Sequence, residues 1–131
     1  MIVVDTSALM AILLNEAAAD ACSECLSEFD PIALSAGTYA EALLVAPRRG
    51  VGEELIELLE GLACEIAPVT EEEAVRVAAA YNRFGKGLHP AGLNLGDCFA
   101  YVLAKQHNCP LLFVGDDFAQ TDVMVALPAV K

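Results

Sequence analysis

Five acidic residues stand among apolar or small neighbours at the ends of expected strands and helices, and not on polar faces: Asp5, Glu41, Asp97, Asp116 and Asp117. In a parallel α/β unit, the carboxyl end of each strand and the amino end of the following helix lie at the same edge of the sheet. Asp5 and Asp116 each follow an expected strand. Glu41 lies in the helix after the second strand, and Asp97 opens the helix before the last one. The spacing therefore predicts that these carboxylates converge at one sheet edge.

Carboxylates gathered in this way repel one another, so the cluster stays ionised only if a cation neutralises it. Oxygen ligands with no Cys or His nearby select Mg²⁺ or Mn²⁺ over zinc, and Mg²⁺ keeps several waters that can become nucleophiles. The chemistry that such a site predicts is hydrolysis of a phosphodiester. Each acid also has a structural alternative: a capping box for Thr38-x-x-Glu41, the helix dipole for Asp97, and a turn cap for Asp116 or Asp117.

Short apolar runs alternate with helical segments along the chain. The expected strands are residues 1–5, 32–34, 64–69 and 111–114, with a short fifth strand near 123–126. The expected helices are residues 7–14, capped by Ser7, then 16–26, 35–45, which stops before Pro47, 53–62, 70–81 and 97–106. This alternation predicts a three-layer α/β/α sandwich around a mainly parallel sheet of about five strands.

The composition is typical of one globular domain over residues 1–131, since 56% of the residues are hydrophobic and the length allows one core. The 19 Asp and Glu against 7 Lys and Arg give a charge of -12, which argues against holding nucleic acid by bulk attraction. The longest aliphatic run, Ala8 to Leu14, is far below the ~18 residues that a membrane span requires. With an acid at position 5 where a leader would be apolar, we expect a cytoplasmic protein.

Three sequence blocks resemble a PIN domain of the VapC toxin type, and the resemblance extends over essentially the full length. The blocks are Ile2-Val-Val-Asp-Thr-Ser-Ala-Leu9, Leu93-Asn-Leu-Gly-Asp-Cys-Phe-Ala-Tyr101 and Gly115-Asp-Asp-Phe-x-x-Thr-Asp122, with the isolated Glu41 between the first two. The resemblance implies an endoribonuclease that depends on Mg²⁺ or Mn²⁺ and cuts RNA, often a structured RNA such as tRNA. It also implies a homodimer that is silenced by a small VapB-type antitoxin.

The resemblance places Asp5, Glu41 and Asp97 on the metal-binding acids of the family. The fourth acid is either Asp116 or Asp117, and we take Asp116 first because it follows the strand more closely.

The resemblance also implies supporting residues around the acids. Thr6 and Ser7 would be hydroxyls near the site, and the side-chain amide of Asn94 would orient Asp97. Because the chain is so acidic, contacts to RNA phosphates would have to come from a few local cations, for which the candidates are Arg48, Arg49, Arg83 and Lys86.

Other functions remain alternatives. A phosphatase that uses Asp5 as a phosphoaspartyl nucleophile needs a second acid at position 7, where this chain has Ser7. A receiver-like signalling domain needs a Lys after a late strand, but Gly115 and Asp116 follow the strand at 111–114. A PIN-like domain that binds a partner without catalysis has the same sequence pattern, and only cleavage by the protein distinguishes it.

Overall fold

The fold is a mixed α/β domain, and our computed structural model describes residues 1–127. The last residues of the predicted domain 1–131, residues 128–131, lie outside the described part. The elements are β1 (Ile2–Val4), α1 (Thr6–Leu13), α2 (Ala19–Ser27), β2 (Ile32–Ser35), α3 (Ala36–Arg48), α4 (Gly52–Gly61), β3 (Glu65–Ala67), α5 (Glu71–Phe84), α6 (Leu95–His107), β4 (Leu111–Leu112) and a 3₁₀ turn (Phe118–Gln120).

The strands form one parallel sheet of four strands in the order β3-β2-β1-β4. Val3 in β1 pairs with Ala33 in β2 on one side and with Leu111 in β4 on the other. The chain runs outward from β1 through β2 to β3 and then crosses to the opposite side of β1, so the strand order reverses between β1 and β4. In open parallel sheets, ligands bind in the crevice at the carboxyl ends of the strands at such a reversal. Asp5 directly follows β1 at this crevice.

Helices cover both faces of the sheet. Ile2 and Val4 pack with buried side chains of α1 to α4, whereas Val3 packs with those of α5 and α6. This alternation follows from the two-residue period of a strand and explains why β1 is buried on both faces. The predicted three-layer α/β/α sandwich is confirmed. Among the helices of residues 1–127, none has the length and apolar character to cross a membrane.

The predicted fifth strand near 123–126 is wrong. Val125 makes only an isolated bridge to Leu111, because β4 is two residues long and offers a short edge for pairing. The hydroxyl of Thr121 accepts a hydrogen bond from the Val123 backbone at 3.2 Å, which keeps this segment in a turn.

Several helix boundaries also differ from the prediction by one to three residues, and two of these differences have a clear local cause. Helix α1 begins at Thr6, one residue earlier than expected, because Asp5 and not Ser7 is its N-cap. Helix α3 continues through Pro47 and ends at Arg48. A proline in the last turn removes only one intrahelical hydrogen bond, so the helix can continue one residue past Pro47.

Candidate active site

Asp5 is the most buried acid of the site, with 3% of its surface exposed. Its Oδ2 accepts hydrogen bonds from the Ser7 backbone at 3.0 Å and from the Ser7 hydroxyl at 2.7 Å. Its Oδ1 is buried and has no hydrogen-bond partner within residues 1–127. An unpaired buried carboxylate oxygen is costly unless a proton or a cation compensates for it.

Ser7 holds this arrangement in place. Its Oγ donates to Asp5 and also accepts a hydrogen bond from the Val114 backbone at 3.0 Å, so it joins the chain after β1 to the chain after β4. This fixes which oxygen of Asp5 stays free. Thr6 is buried beside it, and its hydroxyl has no partner among the described residues.

Glu41 reaches the site because α3 and α6 approach each other closely at two glycines. A methyl group added at Gly37 would overlap the ring of Phe99, and one added at Gly96 would overlap the carboxylate of Glu41. The Glu41 carboxylate therefore lies directly over Gly96. Gly96 is in the first turn of α6 and precedes Asp97 in the sequence. Thr38 does not form the alternative capping box with Glu41, because Ser35 is the N-cap of α3 and Thr38 is fully buried inside that helix.

Asp97 is held by a capping box at the start of α6. The Asn94 side-chain oxygen accepts from the Asp97 backbone at 2.8 Å, and Asp97 Oδ2 accepts from the Asn94 backbone at 3.0 Å. Asn94 thus orients Asp97 through its backbone N–H and the oxygen of its side-chain amide. Only one Asp97 oxygen takes part in the capping box, so a capping role and a role in the site are compatible.

The acids act on each other electrostatically. Burial raises the pKa of Asp5 to about 7; the hydrogen bonds from Ser7 lower it, and the charges of Asp97 and Glu41 raise it. Burial likewise raises the pKa of Asp97, where the Asn94 backbone hydrogen bond lowers it and the charges of Glu41 and Asp117 raise it. The cluster therefore holds more negative charge than its surroundings stabilise.

The fourth acid stays a choice between Asp116, which we expected first, and Asp117, which the structure favours. Gly115 turns the chain with a φ of 111° after β4, and Asp117 then precedes the 3₁₀ turn. Phe118, the first residue of that turn, is buried against Phe113 with ring centroids 5.1 Å apart, which anchors Asp117. Asp117 is the residue of the pair whose charge acts on Asp97.

The four predicted RNA-contacting cations lie at different places in the fold, and their contact with RNA stays a prediction. Arg48 and Arg49 lie at the far end of α3, and the seven-residue separation puts Arg48 about 10 Å along the helix axis from Glu41. Arg83 lies 3.6 Å from Asp122 at the end of α5. Lys86 is the only one of the four in the loop that leads to Asn94, where its backbone donates to Leu93.

Sequence reasoning missed two residues of the site. Gly96 makes room for the Glu41 carboxylate, and its signal is a glycine in the first turn of a helix, where glycine has a low helix propensity. Thr38 lies one turn before Glu41 in α3 and has a buried hydroxyl without a partner. The sequence offers no signal for such a role, because a Thr three residues before an acid favours a capping box.

The donor set fits a hard divalent ion. It contains only oxygen atoms, and the free Oδ1 of Asp5 is a buried oxygen that lacks a partner. Within residues 1–127, no three acidic, His or Cys side chains are already placed to hold one ion directly. Proteins usually bind Mg²⁺ through one or two carboxylates while it keeps several waters.

Comparisons with known proteins agree with this geometry. The family model of the PIN domain matches residues 2–124. The chain is 47% identical to Ribonuclease VapC30 of Mycobacterium tuberculosis over 131 aligned positions, which cover 96% of this chain and 99% of that protein.

Two solved structures share the fold. One is VapC20 of Mycobacterium tuberculosis, described as a sarcin-ricin loop cleaving toxin, with a TM-score of 0.79, 14% identity, and coverage of 98% of this chain and 100% of that one. The other is a toxin-antitoxin complex from Klebsiella pneumoniae, with a TM-score of 0.73, 19% identity, and coverage of 99% and 100%. The chain therefore belongs to the PIN-domain family, within its VapC ribonuclease group.

Proposed function

We propose that this chain is the toxin of a type II toxin-antitoxin pair and hydrolyses RNA phosphodiester bonds with a bound Mg²⁺ or Mn²⁺. The observation that carries the proposal is the free, buried Oδ1 of Asp5, which adjoins the charges of Glu41 and Asp97. A cluster of oxygen ligands with an excess of negative charge has no structural benefit, but it is what a hard cation requires.

The residues of the site would have different roles in this reaction. Asp5, Glu41, Asp97 and Asp117 would surround the ion, one or two of them as direct ligands and the others through its waters, and the bound ion would supply positive charge that polarises a phosphodiester and activates a water. Ser7 and Asn94 fix the orientation of Asp5 and Asp97 through the hydrogen bonds given above. Because Asp5 is buried, its position changes little when substrate binds, which preorganises the site.

We also propose a VapB-type antitoxin and a second copy of the chain as protein partners. The shared fold with a toxin-antitoxin complex supports the first. Exposed apolar side chains on α3, α4 and the edge strand β3 support both, since the chain leaves Leu44 60% and Ile66 42% exposed. Sedimentation at micromolar concentration measures the dimer, and a clean monomer contradicts it.

Metal-dependent cleavage tests the catalytic proposal. We expect the purified chain to cut RNA with Mg²⁺ or Mn²⁺ and to lose cleavage in EDTA, with recovery when the ion is restored. Glu57→Gln, on an exposed face of α4, removes one negative charge away from the site and is the matched control. Metal-independent cleavage, or none under any condition, contradicts the proposal and favours a non-catalytic PIN-like domain.

Metal binding itself is measurable without RNA. An ion that binds only the folded chain stabilises it by about 2.7 kcal/mol at 100 times its dissociation constant. We expect Mn²⁺ to raise the unfolding temperature of the parent and of Glu57→Gln, and to have little effect on Asp97→Asn. The asparagine keeps an oxygen for the Asn94 backbone, so the capping box survives while the charge is lost. An equal metal response in all three proteins means that Asp97 is not a ligand.

A further inference from the structure

A groove between α5 and α6 collects several cations of this acidic chain. It has a volume of about 480 Å³, and its lining includes Arg76, Arg83, Tyr101, Lys105 and Gln106. Three of the seven Lys and Arg residues of the chain thus lie together. With a net charge of -12, random placement would not favour such a cluster.

Two of these cations share a single counter-ion. Arg83 lies 3.6 Å and Lys105 3.3 Å from the same oxygen of Asp122, and Tyr101 donates its hydroxyl proton to the other oxygen. One positive charge is therefore in excess at this point. The side chains of Arg83 and Lys105 are 64% and 44% exposed. Their remaining N–H groups are available, because a guanidinium has five donors and an ammonium three.

The groove is aligned with the acidic site. Asp97, Tyr101 and Lys105 are spaced four residues apart in α6, so they lie on one face of that helix. Lys105 is eight residues from Asp97, a rise of about 12 Å, which is the length of a short stretch of single strand. A strand whose phosphodiester lies at Asp97 can therefore place a neighbouring phosphate at this end of the groove.

We propose that the groove between α5 and α6 binds backbone phosphates of single-stranded RNA beside the bond that is cut, through Arg83 and Lys105. This inference rests on the proposed ribonuclease function and adds where the substrate strand lies. Asp122 holds the two cations in position and competes with the phosphate for them. Arg76 has a smaller part, since the Gln106 amide is placed between it and Glu73.

The salt dependence of RNA binding tests the groove. Each phosphate contact with a single strand contributes about 0.7 to the slope of log affinity against log salt. In an Asp5→Asn background, which we expect to bind without cutting, Arg83→Ala with Lys105→Ala should lower the steepness of this slope by up to about 1.4. The probe is a fluorescein-labelled single-stranded RNA, and the readout is fluorescence anisotropy.

The matched control is Arg48→Ala with Arg49→Ala, which removes the same charge outside the groove, at the end of α3, and should lower the slope less than the groove variant does. An equal fall in both double variants means that only net charge acts, and it overturns the inference. Asp122→Asn keeps an acceptor for the Tyr101 hydroxyl but removes the competing charge, so we expect tighter binding. Weaker or unchanged binding by Asp122→Asn contradicts the proposal even if the double variant folds poorly.

Two further measurements separate this inference from the proposed function. Hydrolysis of bis(p-nitrophenyl) phosphate, which is too short to reach the groove, should be the same in the parent and in the Arg83 and Lys105 double variant, while RNA cleavage falls. If the parent cleaves neither compound, the proposed function fails. If the parent cleaves RNA and the double variant cleaves it equally well, the substrate strand does not bind along the groove. A change in sedimentation of the double variant assigns the groove to a contact between copies and overturns the inference.

Discussion

In EDTA at pH 8, the Asp5→Asn variant is expected to be more stable than the parent and to have lost RNA cleavage. The pKa of Asp5 is about 7 in the folded chain and 3.8 for an unperturbed Asp. The folded state therefore binds this proton more tightly than the unfolded state does. Stability is highest while both states are protonated, falls as pH rises from about 4 to 7, and stays low above pH 8.

The size of the effect follows from the shift. About three pKa units correspond to roughly 4 kcal/mol, since each unit is worth 1.36 kcal/mol. The asparagine oxygen can still accept from Ser7, but its amide N–H groups take the place of the unpaired Oδ1 and cost about 1–3 kcal/mol. We expect a net gain of about 2 kcal/mol at pH 8, or roughly 6–10 °C in unfolding temperature for a chain of this length.

The pH dependence separates relief of the buried charge of Asp5 from a general effect of removing one negative charge. At pH 4 the parent also carries a neutral Asp5, so the gain should vanish and the cost of the amide should remain. Glu57→Gln, which also removes one charge, should follow the parent at both pH values. A variant that is less stable than the parent at pH 8 contradicts this explanation, because asparagine caps a helix about as well as aspartate and the N-cap of α1 is retained.

Much of the fold could be predicted because it depends on local patterns. β1 reads as a strand since Ile2, Val3 and Val4 are β-branched and followed by an acid that caps a helix. The segment after the short β4 was harder to predict, because residues 123–126 have the composition of a strand while Thr121 holds them in a turn. Composition alone does not show how many residues of an edge are available for pairing.

The site was predictable only in part. Asp5, Glu41 and Asp97 could be placed at one sheet edge from topology, since that edge is set by the direction of parallel strands. The structural features that bear on the choice between Asp116 and Asp117 are the φ of Gly115 and the anchoring of Phe118, and neither can be derived from one sequence. The places of the cations relative to the site could not be predicted for a similar reason, because closeness in sequence to a loop does not show which end of a helix faces the site.

Gly96→Ala should separate stability from activity more sharply than any substitution of an acid. A Cβ at position 96 overlaps the end of the Glu41 side chain and not the backbone, so the fold can accommodate it if the Glu41 carboxylate moves. Alanine is also favoured over glycine in a helix by about 1 kcal/mol. We therefore expect an unfolding temperature close to that of the parent.

Catalysis should be far more sensitive, because a misplacement of about 1 Å can cost on the order of 100-fold in rate. We expect RNA cleavage to fall by about that factor and the affinity for Mn²⁺ to fall with it. Gly61→Ala is the matched control, since no atom lies within 4 Å of the added methyl group at the end of α4. It should keep full activity. If Gly96→Ala cleaves RNA like the parent while its fold is intact, Glu41 has no part in holding the ion, and the site consists of Asp5, Asp97 and Asp117.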